Sequence, residues 1–94
     1  MSRITREQGE KDVTAAGTAE PLSASDLGFS ELVVQAKSGN SGVVYIGNSS
    51  VDSSNGQEIF PTQSISFTVA GSLNDIYIDA ANNGDGVKFL YVES

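Results

Sequence analysis

Ninety-four residues of 9.8 kDa make one domain, and a chain this short buries only about 60 to 65 % of the surface its unfolded form exposes. With 14 Ser, 10 Gly and 6 Asn but no His, Cys or Trp, the composition favours short strands and turns. It also removes imidazole bases, thiol nucleophiles, soft metal ligands and disulfides, so no cofactor or metal is expected. A net charge of −7, split as +1 over residues 1–11 and −8 over residues 12–94, argues against nucleic acid as a partner. No apolar run approaches the roughly 20 residues of a membrane span, and the first residues do not form a secretory signal, so no membrane partner is expected and the product is expected to stay in the cytoplasm of whatever makes it.

Residues 1–12 are charged and poor in apolar groups, which predicts an extended or disordered arm that becomes ordered on a partner, with a marginal helix as the alternative. The arm is taken to run to about residue 20, with the folded domain over residues 21–94. Residues 13–30 suit one short strand followed by a loop. From Glu31 the pattern turns to period 2. Glu31 to Ser38 places Leu32, Val34 and Ala36 on one face and Val33, Gln35 and Lys37 on the other. Val43 to Gly47 is apolar on both faces and reads as a strand covered on each side. After the Ser-rich stretch 48–56, Gln57 to Phe60 is a brief strand ended by Pro61.

Ser64 to Ala70 alternates cleanly, with Ile65, Phe67 and Val69 facing the core. Asp75 to Ala80 directs Ile76, Ile78 and Ala80 inward and Tyr77 and Asp79 to solvent. A turn at Asn82–Gly86 leads into Val87 to Val92, which buries Val87, Phe89 and Tyr91 and leaves Leu90 and Val92 on the second face. Six or seven short strands predict an all-β fold, a small antiparallel β-sandwich of jelly-roll or immunoglobulin-like type. Without a disulfide or metal to staple it, so small a core is expected to be stabilised by self-association. The second faces of Val43–Ile46 and Val87–Val92 need cover of their own.

None of the candidate chemical sites survives a spacing test. Gly39-Asn40-Ser41-Gly42 has the look of a serine nucleophile loop, but no imidazole exists to activate the hydroxyl, so it reads as a turn. Setting Asn83 and Asp85 as calcium-loop ligands 3 and 5 puts Ala81 at ligand 1 and Val92 at ligand 12, which breaks the pattern. A looser site of Asp79, Asp85 and a carbonyl is the residual alternative to a hairpin turn. The 12 carboxylates read by default as solvated groups, with Asp26, Asp52, Asp75 and Asp85 in turns and Asp79 on a solvent face, and Tyr45, Tyr77 and Tyr91 read as core or interface aromatics. Asn48-Ser49-Ser50 matches the glycosylation pattern and, without a secretory signal, carries no weight.

One stretch goes further. Gly42-Val43-Val44-Tyr45-Ile46-Gly47, Val51, Asn55-Gly56, Pro61, Ser64 and Leu90-Tyr91 resemble a group of small tailed-bacteriophage virion proteins whose pattern is G-x-V-Y-V-G, S-x-V, N-G-x-P-L-x-P-G-E-S, a Y-V-x-A strand and a closing V-x-x-L-Y. The chain departs at Glu58-Ile59-Phe60, where Pro-Leu is usual, and at Thr62-Gln63, where Gly-Glu is usual. The resemblance covers about 60 residues and implies a non-enzymatic head decoration or cement protein on the capsid surface. Its implied partners are the major capsid protein and further copies of itself, a trimer favoured over a dimer. The residues expected to meet those partners are Arg3, Ile4, Arg6, Lys11 and Val13 of the arm, with Tyr77, Leu90 and Val92 of the domain. The rival readings are a carbohydrate-binding or host-recognition module using Tyr77 and the loop 48–56, and a neck or tail component.

Overall fold

The structure, a computed structural model, describes residues 6–94. Among the described residues nine strands form: β1 Arg6–Asp12, β2 Glu20–Pro21, β3 Gly28–Ala36, β4 Val44–Gly47, β5 Gln57–Ile59, β6 Ser64–Phe67, β7 Gly71–Ser72, β8 Tyr77–Ala80 and β9 Gly86–Glu93, with one 3-10 turn at Leu73–Asp75. They make two antiparallel sheets, ordered β1-β9-β3-β6 with β7 also on β3, and β2-β8-β4-β5. The pairs β1·β9, β2·β8, β3·β6 and β4·β5 are nested like one long hairpin, and the further pairs β9·β3 and β8·β4 roll that hairpin closed. This is the winding of a jelly roll and not of an immunoglobulin-like domain.

The core lies between the sheets, where period-2 alternation sends Leu32, Val34 and Ala36 of β3 against Val44, Ile46, Ile78 and Ala80 of the other sheet. β9 supplies Val87, Phe89 and Tyr91 to the same core. Phe29 and Leu32 are three residues apart yet both buried. The register shift between Phe29 and Glu31 reconciles them, because one extra residue in β3 restores the phase of the alternation.

Two expectations are corrected here. The arm is not free over residues 6–12: those residues pair with β9 from Arg6↔Val92 to Asp12↔Gly86 and form the outermost rung of the nested hairpin. β1 packs closely because it has no side chain where it crosses the ring of Phe89; a Cβ on Gly9 would come within 2.7 Å of Phe89 Cζ. Val13 then enters the core, and β2 follows at Glu20–Pro21, so the folded domain begins well before residue 21. The second correction concerns β6, which stops at Phe67 and leaves Val69 78 % exposed rather than inward. The chain rejoins β3 at Gly71 as β7, opposite Gly28 and Phe29, so the three exposed residues Thr68 to Ala70 bridge the two pairings.

Candidate docking surface

The two outer faces of the sandwich differ. On the sheet β2-β8-β4-β5, Tyr45 and Asp79 point away from the core as a cross-strand pair, yet both are buried. The chain covers them itself. Gly17 of the β1–β2 loop donates its N–H to Asp79 Oδ1 at 2.9 Å, and the loop 48–56 folds Val51 back against Gly47 and Gly56. Gly56 has φ +86, and a Cβ there would lie 2.4 Å from Val51 Cγ2, so the position takes glycine on both counts. The second face of β4, expected to need a partner, is thus closed from within.

On the five-stranded sheet the registers define rows across the outer face. Gln8, Leu90, Val33 and Ser66 form one row; Arg6, Val92 and Glu31 form the next; Glu10, Lys88, Gln35 and Ser64 form the third. Leu90 is 46 % and Val33 40 % exposed, side by side at the centre. Their neighbours on each strand take the core side, so alternation obliges these two to face outward. A fourth row is closed by charge. Lys37 reaches across β9 at Gly86, which has no side chain to obstruct it, and donates from Nζ to Asp12 at 2.7 Å and to Glu10. These two carboxylates hold the Lys37 ammonium pKa above its ordinary value. Beside that row a groove of about 550 Å³ is lined by Gln35, Lys37, Asn40, Thr62 and Lys88.

The structure sorts the residues expected to meet partners. Arg6, Leu90 and Val92 share the exposed face, with Arg6 directly opposite Val92. Arg3 and Ile4 lie outside the described residues. Val13 is withdrawn from that set, since its side chain is fully buried in the core. Lys11 lies on the inward side of β1 opposite Val87 and pairs with Glu20 at 3.0 Å, tying the edge of one sheet to the other. Tyr77 is half-buried on the opposite sheet between Gly47 and Pro21, away from the other candidates. Val33 belongs to the surface and was legible as the one large apolar group on the polar side of its strand.

Two carboxylates read as solvated are structural. Asp79 is 1 % and Asp85 5 % exposed, which corrects their placement in solvent. Asp79 Oδ1 accepts from Gly17 and from Ala80 at 2.8 Å. Asp85 accepts from Ser41 at 2.9 and 3.1 Å and from Gly42 at 2.9 Å. Asn40 adds a reciprocal pair with Gly86, its Nδ2 donating to the carbonyl and its Oδ1 accepting from the N–H. The turn 39–42 is thereby pinned to the β8–β9 turn. Lone pairs engaged by backbone N–H groups are poor ligands for a cation, and among the described residues no three acidic side chains converge on a metal-sized space.

Glu20 is held below the ordinary glutamate pKa by the Thr14 N–H at 2.7 Å and then by Lys11. Burial, followed by Glu7 and Glu93, pushes the Tyr91 phenol up. In the loop 48–56, Asn48, Asp52 and Asn55 accept from Ser50, Ser54 and Asp52 of the same loop, which engages the acceptors a sugar would use. Comparison with protein-family models, with curated proteins and with solved structures finds no match.

Proposed function

We propose that this chain is a non-enzymatic bacteriophage virion protein, a decoration or cement subunit that binds the major capsid protein shell and stabilises the head. The observation that carries the proposal is the asymmetry of the two outer faces. One is sealed by the chain's own loops, while the other keeps Leu90, Val33 and Val92 at its centre with Arg6, Glu31, Glu10 and Lys88 around them. An apolar centre within a charged surround is the anatomy of a protein-docking surface, the centre contributing affinity and the surround fixing orientation. Two supports stand beside it. The residues from Gly42 to Ser64 resemble those of small phage virion proteins, and jelly rolls are widely used in viral capsid domains as well as in lectins. Fold alone assigns no role.

The test is co-sedimentation of the full chain with phage heads stripped of accessory proteins, comparing wild type with Leu90→Glu and Val33→Glu. Both substitutions are at exposed positions, so far-UV circular dichroism is expected to be unchanged. Head binding is expected to weaken at least tenfold, because a carboxylate would be driven into a desolvated apolar centre. Equal binding by the variants refutes the assignment of the face. Binding to tails but not heads refutes the decoration role in favour of a tail component.

A further inference from the structure

We infer that a second copy of this chain docks on the β6 edge, adding its own β6 antiparallel about a two-fold axis. The four sheet edges are not alike. β1 is guarded by Arg6, Glu7, Glu10, Lys11 and Asp12, and β5 carries Glu58. β2 is only two residues long. β6 has no such guard: between Glu58 and Asp75 the sequence holds 16 consecutive uncharged residues. For a chain of net charge −7, this strip is where two copies meet with the least repulsion.

The backbone of β6 is set to receive a strand. Ala36 N–H donates to the Gln63 carbonyl at 2.9 Å, which fixes the phase of the β3·β6 ladder. The Gln63 carbonyl and the backbone polar groups of Ile65 and Phe67 turn towards β3, and Ser64 and Ser66 turn theirs away. Among the described residues β6 has no strand on that side. Next to it an apolar cleft of about 270 Å³ opens between the sheets, lined chiefly by Ile46, Ile65, Phe67 and Ile76.

Self-complementarity points to a second copy as the occupant. Among the described residues, the most exposed large apolar groups are Val69 at 78 % and Phe60 at 53 %. Val69 lies two residues beyond the C-terminal end of β6, and Phe60 four residues before its N-terminal end, across the turn closed by Gln63 N–H on the Phe60 carbonyl. An antiparallel copy therefore brings Val69 of each chain towards the Phe60 end of the other. With the axis at Ser66, Ser66 pairs with its own equivalent, Ser64 with Thr68, and Ile65 with Phe67, an aliphatic–aromatic pair beside the cleft. The contact is isologous and closes at two copies. A β6-to-β1 contact would instead be heterologous, would leave an open array, and would set a neutral edge against a charged one. The inference concerns the isolated chain and does not rest on the capsid reading.

The absence of cysteine makes the test direct. Ser66→Cys places two sulfurs across the axis at a hydrogen-bonded pair, where Cα atoms sit about 5.5 Å apart, within disulfide range. Mild oxidation of the full chain is expected to give a cross-linked species of twice the 9.8 kDa chain mass at least ten times faster than for Ser53→Cys in the exposed loop. Ser66→Pro removes an N–H that faces away from β3 and leaves the intrachain ladder complete. Light scattering is expected to show a wild-type dimer and a mostly monomeric proline variant. A wild-type monomer at millimolar concentration, a trimer, or equal cross-linking rates for the two cysteine variants would each overturn the inference. So would a folded Ser66→Pro variant that stays dimeric.

Discussion

Removing the Asp85 carboxylate tests how the turn 39–42 is held against the β8–β9 turn. Asp85 is the acceptor for two separate backbone donors, Ser41 N–H and Gly42 N–H, in a nearly water-free setting. A hydrogen bond to a charged acceptor contributes about 1.5 to 3 kcal/mol, and a donor left without a partner adds its own desolvation cost. Ser41 and Gly42 lie in a turn that opens more readily than a core strand, so the lower end applies, and Asp85→Ala is expected to cost about 3 kcal/mol. A 94-residue domain has a total stability on the order of 5 to 14 kcal/mol, so the loss is a large share and lowers Tm by roughly 12 to 20 °C. Asp85→Asn keeps one acceptor but turns an amide NH2 towards a donor, and should cost about half as much. Urea unfolding followed by far-UV circular dichroism, with tyrosine emission as a second probe, gives both values. Glu58→Ala, at an exposed edge position, is the control and should stay within about 0.5 kcal/mol. If Asp85→Ala lost less than about 1 kcal/mol with an unchanged m value, the carboxylate would be a passive surface group and the argument for its burial would fail.

Two further outcomes follow from close contacts and from charge. Gly86→Ala would set a Cβ 2.2 Å from the Lys11 carbonyl oxygen and 2.7 Å from Asp12 Cα, both backbone atoms that cannot step aside. It is expected to lose about 3 kcal/mol or more in urea unfolding, with accelerated amide exchange along β1, and exchange no faster than wild type would refute it. For Glu20, whose folded pKa is depressed, the stabilisation is present above the unfolded pKa and lost as pH falls through the folded value. Stability measured from neutral pH down to about pH 3 should therefore fall less steeply for Glu20→Gln than for wild type; parallel curves would remove Glu20 from the acid response.

Much of the architecture is legible in the sequence because most strands keep one apolar face. β3 and β9 alternate as expected, with Leu32, Val34, Val87 and Phe89 all buried, and β8 sends Ile78 and Ala80 inward. β1 escapes notice because Arg6, Gln8 and Glu10 face out while Glu7, Gly9 and Lys11 face in, so neither side is apolar and period 2 leaves no trace. What holds it is pairing with β9, the fit of Gly9 over Phe89 and ion pairs to Lys37 and Glu20, none of them local in sequence. Asp79 and Asp85 mislead for a related reason. A carboxylate is read as solvated unless its donors are known, and apart from Ala80 beside Asp79 theirs come from residues 62 and 43 to 44 positions away. Of the docking face, Leu90 and Val92 are apparent from the surplus apolar side of β9. That β4 needs no outside cover depends on how Val51 folds back, which no pattern in residues 48–56 discloses.

The place of β1 changes how binding has to be dissected. Were residues 1–20 a free tether, cutting them away would isolate their contribution to a partner. Within that stretch residues 6–20 hold β1, the outermost rung of the jelly roll, and the first residue of β2, and each of these strands is the partner of a strand inside a sheet. Cutting them would bare β9 and β8 along one side, remove Val13 from the core and strand Lys37 without Glu10 and Asp12. Lost binding after such a truncation would report lost folding. The separable unit is smaller: on β1 Arg6, Gln8, Glu10 and Asp12 point to the outer face, and Glu10 and Asp12 are already bound to Lys37. Arg6 and Gln8 are therefore the positions where the first strand can contribute to recognition without being needed for the fold, and they lie beside Val92 and Leu90, the same apolar centre that the opposite sheet lacks.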